Sequence, residues 1–152
     1  YIGVSPRTDK ELAKKWCQDN SFEMVLFETT SHAGKPIYHS DVFMYVGTEI
    51  IGICIDVINE EYREMVLDKV SRFHDVMLIN ENQILDFCGN SLEARNKNNE
   101  KFIIMSTKAL SSLSDSQKNT LNKYFKKIIH TDLESIEKYG GGSARCMLSE
   151  LF

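Results

Sequence analysis

The sequence predicts an α/β protein made of repeated strand–strand–helix–strand (ββαβ) units. Three runs typical of strands begin at Asp41, Asn90 and Cys146, and they are spaced by about fifty residues, a period typical of repeated supersecondary units. Each of the two intervals between these runs holds a second strand, a helix and a third strand. A polar residue therefore stands at the same point of every unit.

The other elements follow from the hydrophobic pattern. In the first interval we expect a strand at 49–56, a helix at 60–72 and a strand at 75–79. In the second interval we expect a strand at 102–106, a helix at about 115–129 and a strand near 132–136. Both intervals thus have the same order of elements, which is what a repeat requires.

Helix starts and helix faces have local causes. Thr8-x-x-Glu11 and Ser114-x-x-Gln117 are capping-box patterns, in which two side chains satisfy free amide groups at a helix start. Apolar residues at helical spacing then predict three core-facing stripes. Their members are Leu12, Ala13, Trp16 and Cys17; Tyr62, Met65, Val66, Val70 and Phe73; and Leu121, Tyr124, Phe125 and Ile128.

Composition limits the class of protein without choosing a function. The chain has 152 residues, of which 42% are hydrophobic and 26% charged, as in ordinary globular proteins. A net charge of −4 gives no footprint for nucleic acid, and no apolar run or signal peptide indicates a membrane partner. Four cysteines without paired spacing fit reduced thiols, so we expect a cytoplasmic protein.

The segment around Cys146 has the features of a presented nucleophile. Three glycines, 140–142, leave the backbone with free access to positive φ and lead to a cysteine preceded by Arg145. A cationic neighbour and exposed amide groups favour the thiolate, which is the reactive form. The same residues also fit a tight turn into an apolar core strand, and taken alone they are more typical of that turn.

A histidine and a carboxylate lie on a separate segment. His39 and Asp41 are two residues apart at the entrance to an apolar run, and in an extended segment they would project from one face. A cysteine and a histidine on separate segments form the arrangement expected for nucleophilic catalysis.

Together these segments resemble the amidinotransferase/arginine deiminase superfamily, whose members modify guanidino groups. The resemblance rests on YIGVSPRT, YHSDVFM, DFCGNSLEARN and EKYGGGSARCMLSELF, runs along essentially the whole chain and is closest to the citrulline utilisation hydrolase branch. It implies a pentein fold, a five-bladed α/β propeller of ββαβ modules with the site at its axis. It also implies that Cys146 is the nucleophile, His39 the general acid/base and Asp41 the group that binds guanidino or ureido nitrogens.

Asn90 and Arg145 are harder to assign. Gly89-Asn90 before a strand is a common turn, yet its register with Asp41 and Cys146 equally predicts a hydrogen-bonding group that lines the substrate site. Bacterial arginine deiminases carry a carboxylate-binding arginine five residues before the nucleophile, where this chain has Gly141. Arg145 next to the nucleophile would face away from it in an extended segment.

The expected extent follows from the resemblance. The chain opens with Tyr1 in a strand-like segment and supplies about three of five modules. We therefore expect residues 1–152 to be a single domain, the C-terminal half of a longer propeller whose further acidic site residues lie upstream. Such a chain would associate with its N-terminal half or with another copy of itself.

The predicted function is covalent hydrolysis of guanidino or ureido C–N bonds in a small citrulline- or arginine-like substrate. This chemistry requires no metal or organic cofactor. We expect no zinc site, since His32, His74 and His130 lack partners at metal-ligand spacing. Cys17, Cys54 and Cys88 are expected to be packing residues. Two alternatives stay open: an amidinotransferase using the same cysteine and histidine, and a non-catalytic partial subunit that acts through association.

Overall fold

The computed structural model describes residues 1–31 and 33–149. The strands of this part are β1 (Ile2–Val4), β2 (Leu26–Glu28), β3 (Met44–Val46), β4 (Ile50–Ile53), β5 (Asp75–Leu78), β6 (Leu92–Arg95), β7 (Lys101–Ser106) and β8 (Lys127–Thr131). Its helices are α1 (Lys10–Asp19), α2 (Glu60–Ser71), α3 (Glu81–Leu85), α4 (Thr107–Ser112), α5 (Asp115–Tyr124) and α6 (Glu134–Gly140). Short 3-10 turns span Ser40–Val42, Ile55–Val57 and Arg145–Met147.

The strands form three sheets, and two of these have the predicted ββαβ order. In the first, β3 pairs antiparallel with β4, and β5 then adds in parallel to β4 after the crossover through α2. In the second, β6, β7 and β8 repeat this arrangement with α4 and α5 in the crossover. The parallel pair β1–β2, joined by α1, corresponds to the last three elements of such a unit. Closure of the sheets into a propeller stays a prediction.

Interlocked helix caps join the two complete units. Ser114 and Gln117 form the predicted capping box at α5, and Asn80 with Gln83 forms a second one at α3. The buried Gln83 amide also donates to the Gln117 side chain at 2.7 Å and to the Ser112 carbonyl at 2.9 Å. The end of the first unit is therefore tied to the helix of the second.

The cap of α1 differs from the prediction. Asp9, not Thr8, is the N-cap, and its carboxylate accepts from the Leu12 amide at 2.8 Å. The Thr8 hydroxyl instead donates to the Gly3 carbonyl at 2.9 Å. A carboxylate one residue later is the stronger acceptor at a helix start, because the helix dipole favours negative charge there.

The core lies around β4 and extends through the units on either side. Phe27, Phe43, Ile51 and Ile103 are fully buried, and Tyr45 packs so closely over Gly52 that a side chain there would meet its ring at 2.1 Å. The apolar stripes were only partly predicted. Val66, Val70 and Leu121 are buried, as are Cys17 and Phe125, whereas Leu12 and Trp16 are exposed and Phe73 is 80% exposed.

Most of the predicted stripe on α1 faces outward. Cys17 alone of the α1 residues is buried. Trp16 instead stacks on Phe22 outside the core, with the ring centroids 5.4 Å apart. Phe73 comes after the end of α2, so the helical spacing that places Val66 and Val70 inside no longer applies to it.

Three predictions for the C-terminal third were wrong. The helix predicted to reach residue 129 ends at Tyr124, since Ile128 and Ile129 pair in parallel with β7 as part of β8. A strand was predicted near 132–136, but α6 begins at Glu134, within that range. The strand-like run predicted from Cys146 begins as a 3-10 turn, and residues 150–152 of that run lie outside the described residues.

No helix in the described ranges is long and apolar enough to cross a bilayer.

Candidate active site

A close backbone contact brings the first two repeat positions together. Gly89 lies against the main chain of Val42, and a Cβ at Gly89 would stand 2.5 Å from the Val42 carbonyl oxygen. Only glycine allows this approach, which places Asn90 directly beside Asp41. The backbone N–H of Asn90 donates to the Phe87 carbonyl at 2.9 Å, and Phe87 itself has a positive φ of 64°.

The Asn90 side chain is buried at the centre of the site. Its Oδ1 accepts from the backbone N–H groups of Ser143, at 3.1 Å, and Cys146, at 3.3 Å. Its Nδ2 donates to the Cys146 Sγ at 3.1 Å and lies 3.3 Å from the Asp41 Oδ2. The two backbone donors fix the orientation of the amide, since a flipped amide would direct N–H groups at N–H groups.

Cys146 is the exposed cysteine of the four, all of which the structure describes. Its sulfur lies 3.7 Å from the Asp41 Oδ2. Gly141, with a φ of 70°, ends α6 in the left-handed conformation, and Gly142 leaves room for the Cys146 side chain. A Cβ at Gly142 would stand 3.0 Å from both the Cβ and the sulfur of Cys146.

His39 and Asp41 lie together, although by a different backbone route from the predicted one. Residues Ser40–Val42 form a 3-10 turn and not an extended strand. The His39 Nδ1 is 3.8 Å from the Asp41 Oδ1, while the other carboxylate oxygen faces the sulfur of Cys146. Asp41 therefore stands between the imidazole and the thiol.

The His39 ring is further held from the side. It packs edge-on against Tyr38, with 4.6 Å between ring centroids, and the Arg7 guanidinium lies over the Tyr38 ring at 4.5 Å. The sequence assigned no chemical role to Arg7, and the structure gives it this supporting contact.

Arg145 faces the site, which corrects the expectation that it points away. Its Nε lies 3.9 Å from the Asp41 Oδ2, and its amide nitrogen donates to the Asn90 carbonyl at 3.3 Å. The cause is the 3-10 turn Arg145–Met147, in which successive side chains are rotated by roughly 120° and not by the half-turn of a strand.

Two open cavities meet at Arg145. One, of about 320 Å³, is lined by β1 residues together with Tyr38, His39 and Asp41. The other, of about 630 Å³, lies between the β3–β4 hairpin and β6. Both have the volume of a small-molecule site. Within the described ranges, no group of three His, Cys, Asp or Glu side chains is placed to hold a metal ion, and His32 lies outside those ranges.

Burial keeps Cys88 and Cys54 as thiols. Burial raises the pKa of Cys88 to about 11, even though the Ser112 hydroxyl next to its sulfur acts in the opposite direction. Burial also raises the pKa of Cys54. These residues and Cys17 are buried, as the sequence predicted for packing residues.

Glu137 and Ser143 are two polar residues of this region that the sequence did not single out. Ser143 is fully buried, and its hydroxyl donates to the Glu137 Oε1 at 2.6 Å. Both lie in the motif EKYGGGSARCMLSELF that contains Cys146, and this position was the available signal. Helical spacing on α6 gives no reason to expect a buried carboxylate.

These features define a cysteine-centred site carried on repeated ββαβ units. The chain matches the sequence profile of the family described as N,N-dimethylarginine dimethylhydrolase, eukaryotic, over residues 1–152, and it belongs to that family. The guanidino-modifying superfamily predicted from the sequence is therefore confirmed, whereas its citrulline branch stays a prediction.

Solved structures share the fold at low sequence identity. The apo structure of ArgZ, an arginine dihydrolase from the ornithine-ammonia cycle in cyanobacteria, superposes with a TM-score of 0.71 at 18% identity, covering 95% of this chain and 21% of that one. The product-bound N-terminal domain of ArgZ gives 0.68 at 21% identity, covering 95% and 48%. AgrE with ornithine and NAD+ gives 0.69 at 16% identity, covering 99% and 21%.

This chain thus spans about half of the ArgZ N-terminal domain and about a fifth of the longer proteins. No curated protein matches it by sequence.

Proposed function

We propose that the protein is a hydrolase of guanidino or ureido C–N bonds that acts through a covalent intermediate on Cys146. The observation that carries the proposal is the cluster in which Asn90 holds the sulfur and Asp41 stands between the sulfur and the His39 imidazole. Family membership and the fold shared with arginine dihydrolases support a substrate with a planar, nitrogen-rich carbon centre.

Asp41 binds the head of the substrate in this proposal. A carboxylate pairs well with the parallel N–H groups of a guanidinium or ureido group. The Asp41 Oδ2 lies 3.7 Å from the sulfur. A substrate N–H group that is hydrogen-bonded to this oxygen therefore brings the central carbon of the substrate head within reach of Cys146. Binding thereby supplies the orientation on which the attack depends.

The first chemical step forms the S–C bond. The Asn90 Nδ2–H group donates to the sulfur and stabilises the thiolate, which attacks the central carbon to give a tetrahedral adduct. His39 then gives its proton to the departing nitrogen as the C–N bond breaks. Ammonia or an alkylamine leaves, and a planar intermediate stays on Cys146.

The second step releases this intermediate. His39, now neutral, takes a proton from water while the water oxygen bonds to the carbon. The S–C bond then breaks, and the thiolate returns to its hydrogen bond with Asn90. One imidazole serves first as acid and then as base, and its Nδ1 lies 3.8 Å from the Asp41 Oδ1.

Several substrates fit this chemistry. The family name points to N-methylated arginine, the solved relatives are arginine dihydrolases, and the sequence resemblance favours citrulline. All three present the same planar carbon to the sulfur. Arg145, beside Asp41, supplies positive charge that suits a neutral ureido head or an anionic substituent.

The proposal also covers the place of this chain in the whole protein. We place this chain as a single domain in the C-terminal half of a five-module propeller, in which upstream acidic residues complete the site through an N-terminal half or a second copy. Four free thiols support a reducing compartment such as the cytoplasm.

The test is release of ammonia or dimethylamine (called amine release below) by the full-length protein from arginine, N,N-dimethylarginine and citrulline. We expect release from at least one of them, and Cys146→Ser to abolish it, because a serine hydroxyl is far harder to ionise than a thiol. Cys17→Ala, which removes a buried thiol of α1, is the matched control and should stay active.

Full activity of Cys146→Ser would refute the mechanism. Adding a primary amine as acceptor distinguishes hydrolysis from amidino transfer, since only a transferase would give a substituted guanidine.

A further inference from the structure

The burial pattern of α6 is inverted. Its apolar residues Ile136 and Tyr139 are 43% and 81% exposed, whereas the charged Glu137 between them is only 7% exposed. An ordinary surface helix buries its apolar stripe and exposes its carboxylates. Packing alone therefore does not account for a buried glutamate here.

The hydrogen bonding of Glu137 is also incomplete for a buried carboxylate. Its Oε1 accepts from the hydroxyl of the fully buried Ser143 at 2.6 Å. Its Oε2 is buried as well, and among the described residues it has no hydrogen-bond partner. A buried polar atom without a hydrogen-bond partner destabilises the fold, so its presence indicates a role other than stability.

The contact with Ser143 leads directly to the nucleophile. The Ser143 amide donates to the Asn90 Oδ1 at 3.1 Å, and that same oxygen accepts from the Cys146 amide. Holding this oxygen towards the two backbone donors turns the Asn90 Nδ2 towards the sulfur at 3.1 Å. The orientation of one amide thus decides whether the sulfur receives a hydrogen bond.

We infer that Glu137 is a positioning residue for Cys146, which acts through Ser143 and Asn90 to keep an N–H group directed at the thiolate. The inference deepens the proposed function and rests on its assignment of Cys146 as the nucleophile. Glu137 contacts neither the sulfur nor the substrate head. Its effect is to fix the segment that begins at Ser143, so that the Asn90 amide has a single orientation.

Alkylation of Cys146 by iodoacetamide in the full-length protein, measured as a function of pH, tests this inference. The other three cysteines of this chain are buried, and mapping the label by peptide mass assigns the rate to Cys146 within the full-length protein. The main variant is the double substitution Glu137→Leu with Ser143→Ala. It removes both hydrogen-bonding partners together, leaves no unpaired charge and is therefore expected to fold.

We expect this variant to unfold at a temperature close to that of the wild type. We also expect Cys146 to alkylate about tenfold more slowly at neutral pH, with the midpoint of the rate profile moved to higher pH, as a weakened hydrogen bond to a charged group requires. Glu137→Gln keeps an acceptor oxygen for Ser143 and should retain most of the wild-type rate. It is the matched control.

An unchanged alkylation profile in the double variant would overturn the inference, since a purely structural role changes only the unfolding temperature. A loss in Glu137→Gln as large as that in the double variant would overturn it as well. Alkylation needs no substrate, so failure of the full-length protein to release amine would refute the proposed function without affecting this test.

Discussion

At the scale of single residues, the site depends on one amide with two different ends. The Asn90 Oδ1 accepts hydrogen bonds from two backbone N–H groups, and the Asn90 Nδ2 donates a hydrogen bond to the Cys146 sulfur. The sequence placed Asn90 in register with Asp41 and Cys146, and the structure brings these three residues into contact. The sequence could not predict the orientation of the Asn90 side-chain amide, because that orientation is set by backbone donors from a segment more than fifty residues away.

Asn90→Asp tests the donor end of the amide separately from the acceptor end. The substitution keeps the shape and the oxygen that accepts from Ser143 and Cys146, but it places a second oxygen 3.1 Å from the sulfur. We expect amine release to fall by about 10–100-fold, because a carboxylate beside the sulfur repels the thiolate. The pH profile of Cys146 alkylation should move to higher pH.

Asn82→Asp, on the exposed side of α3, adds the same charge away from the site and is the control. Equal activity of Asn90→Asp and wild type would show that the hydrogen bond to the sulfur is dispensable.

Arg145 shows where residue-scale reasoning from the sequence failed. The prediction that it faces away from the site assumed an extended backbone, in which neighbouring side chains alternate. The observed 3-10 turn removes that alternation and directs Arg145 towards Asp41. Three glycines before the turn made the backbone conformation hard to predict, since glycine adopts so many.

At the scale of elements, short turns replace the strands that were predicted to present the site. Asp41 and Cys146 both lie in 3-10 turns, and β3 begins only at Met44. The order of elements in the two complete units was nevertheless predicted correctly, because the apolar runs around β4 and β7 and the buried positions of α2 and α5 are visible in the sequence. Three-residue elements carry too little pattern to separate a turn from a strand.

The glycine segment after α6 should be sensitive at one position and tolerant at another. Gly142→Ala would place a methyl group 3.0 Å from the Cys146 sulfur and Cβ, tighter than ordinary contact. We expect this variant to lose amine release by about tenfold or more, since a shift of about 1 Å at a reacting atom costs up to a hundredfold. Its unfolding temperature should change little.

Gly140→Ala is the matched control, because its new methyl group would meet nothing closer than 3.7 Å, at the end of a helix where alanine is favoured over glycine. It should keep its activity and gain up to about 1 kcal/mol of stability. Loss of activity in both variants alike would contradict a specific role for Gly142.

At the scale of the whole molecule, stability should fall at alkaline pH. Burial raises the pKa of Cys88 to about 11 from an ordinary value of 9.0, so its thiol ionises in the unfolded chain before it ionises in the folded one. Stability from this group is complete below pH 9 and is lost as pH rises towards 11, by roughly 1.4 kcal/mol per pH unit. Burial also raises the pKa of Tyr45, which steepens the fall at still higher pH.

Urea unfolding of the full-length protein between neutral pH and about pH 10.5 measures this slope. Cys88→Ala should be less stable at neutral pH because it leaves a small cavity, but its stability should decrease less steeply with pH. The same slope in Cys88→Ala and wild type would show that the Cys88 thiol does not titrate in this window.

The overall α/β architecture was predictable because hydrophobic periodicity and a fifty-residue repeat survive in the sequence. The helix α6 was not predicted, since a strand was expected near 132–136, and the burial of Glu137 runs against the local amphipathic pattern. Where a residue departs from the pattern of its own element, as Glu137 does, contacts outside that element decide its environment, here the hydroxyl of Ser143.

The most direct test of the account is the mass of the intact full-length His39→Ala protein after incubation with an S-alkylisothiourea analogue of arginine, whose sulfur leaving group needs little help from an acid. Cys146 should still attack, but water activation depends on the imidazole, so the covalent intermediate should accumulate. We predict a mass increase that maps to Cys146 and is absent when Cys146→Ser is added. Turnover of the analogue by the Cys146→Ser protein, or an adduct on any other residue, would contradict the assignment of Cys146 as the nucleophile.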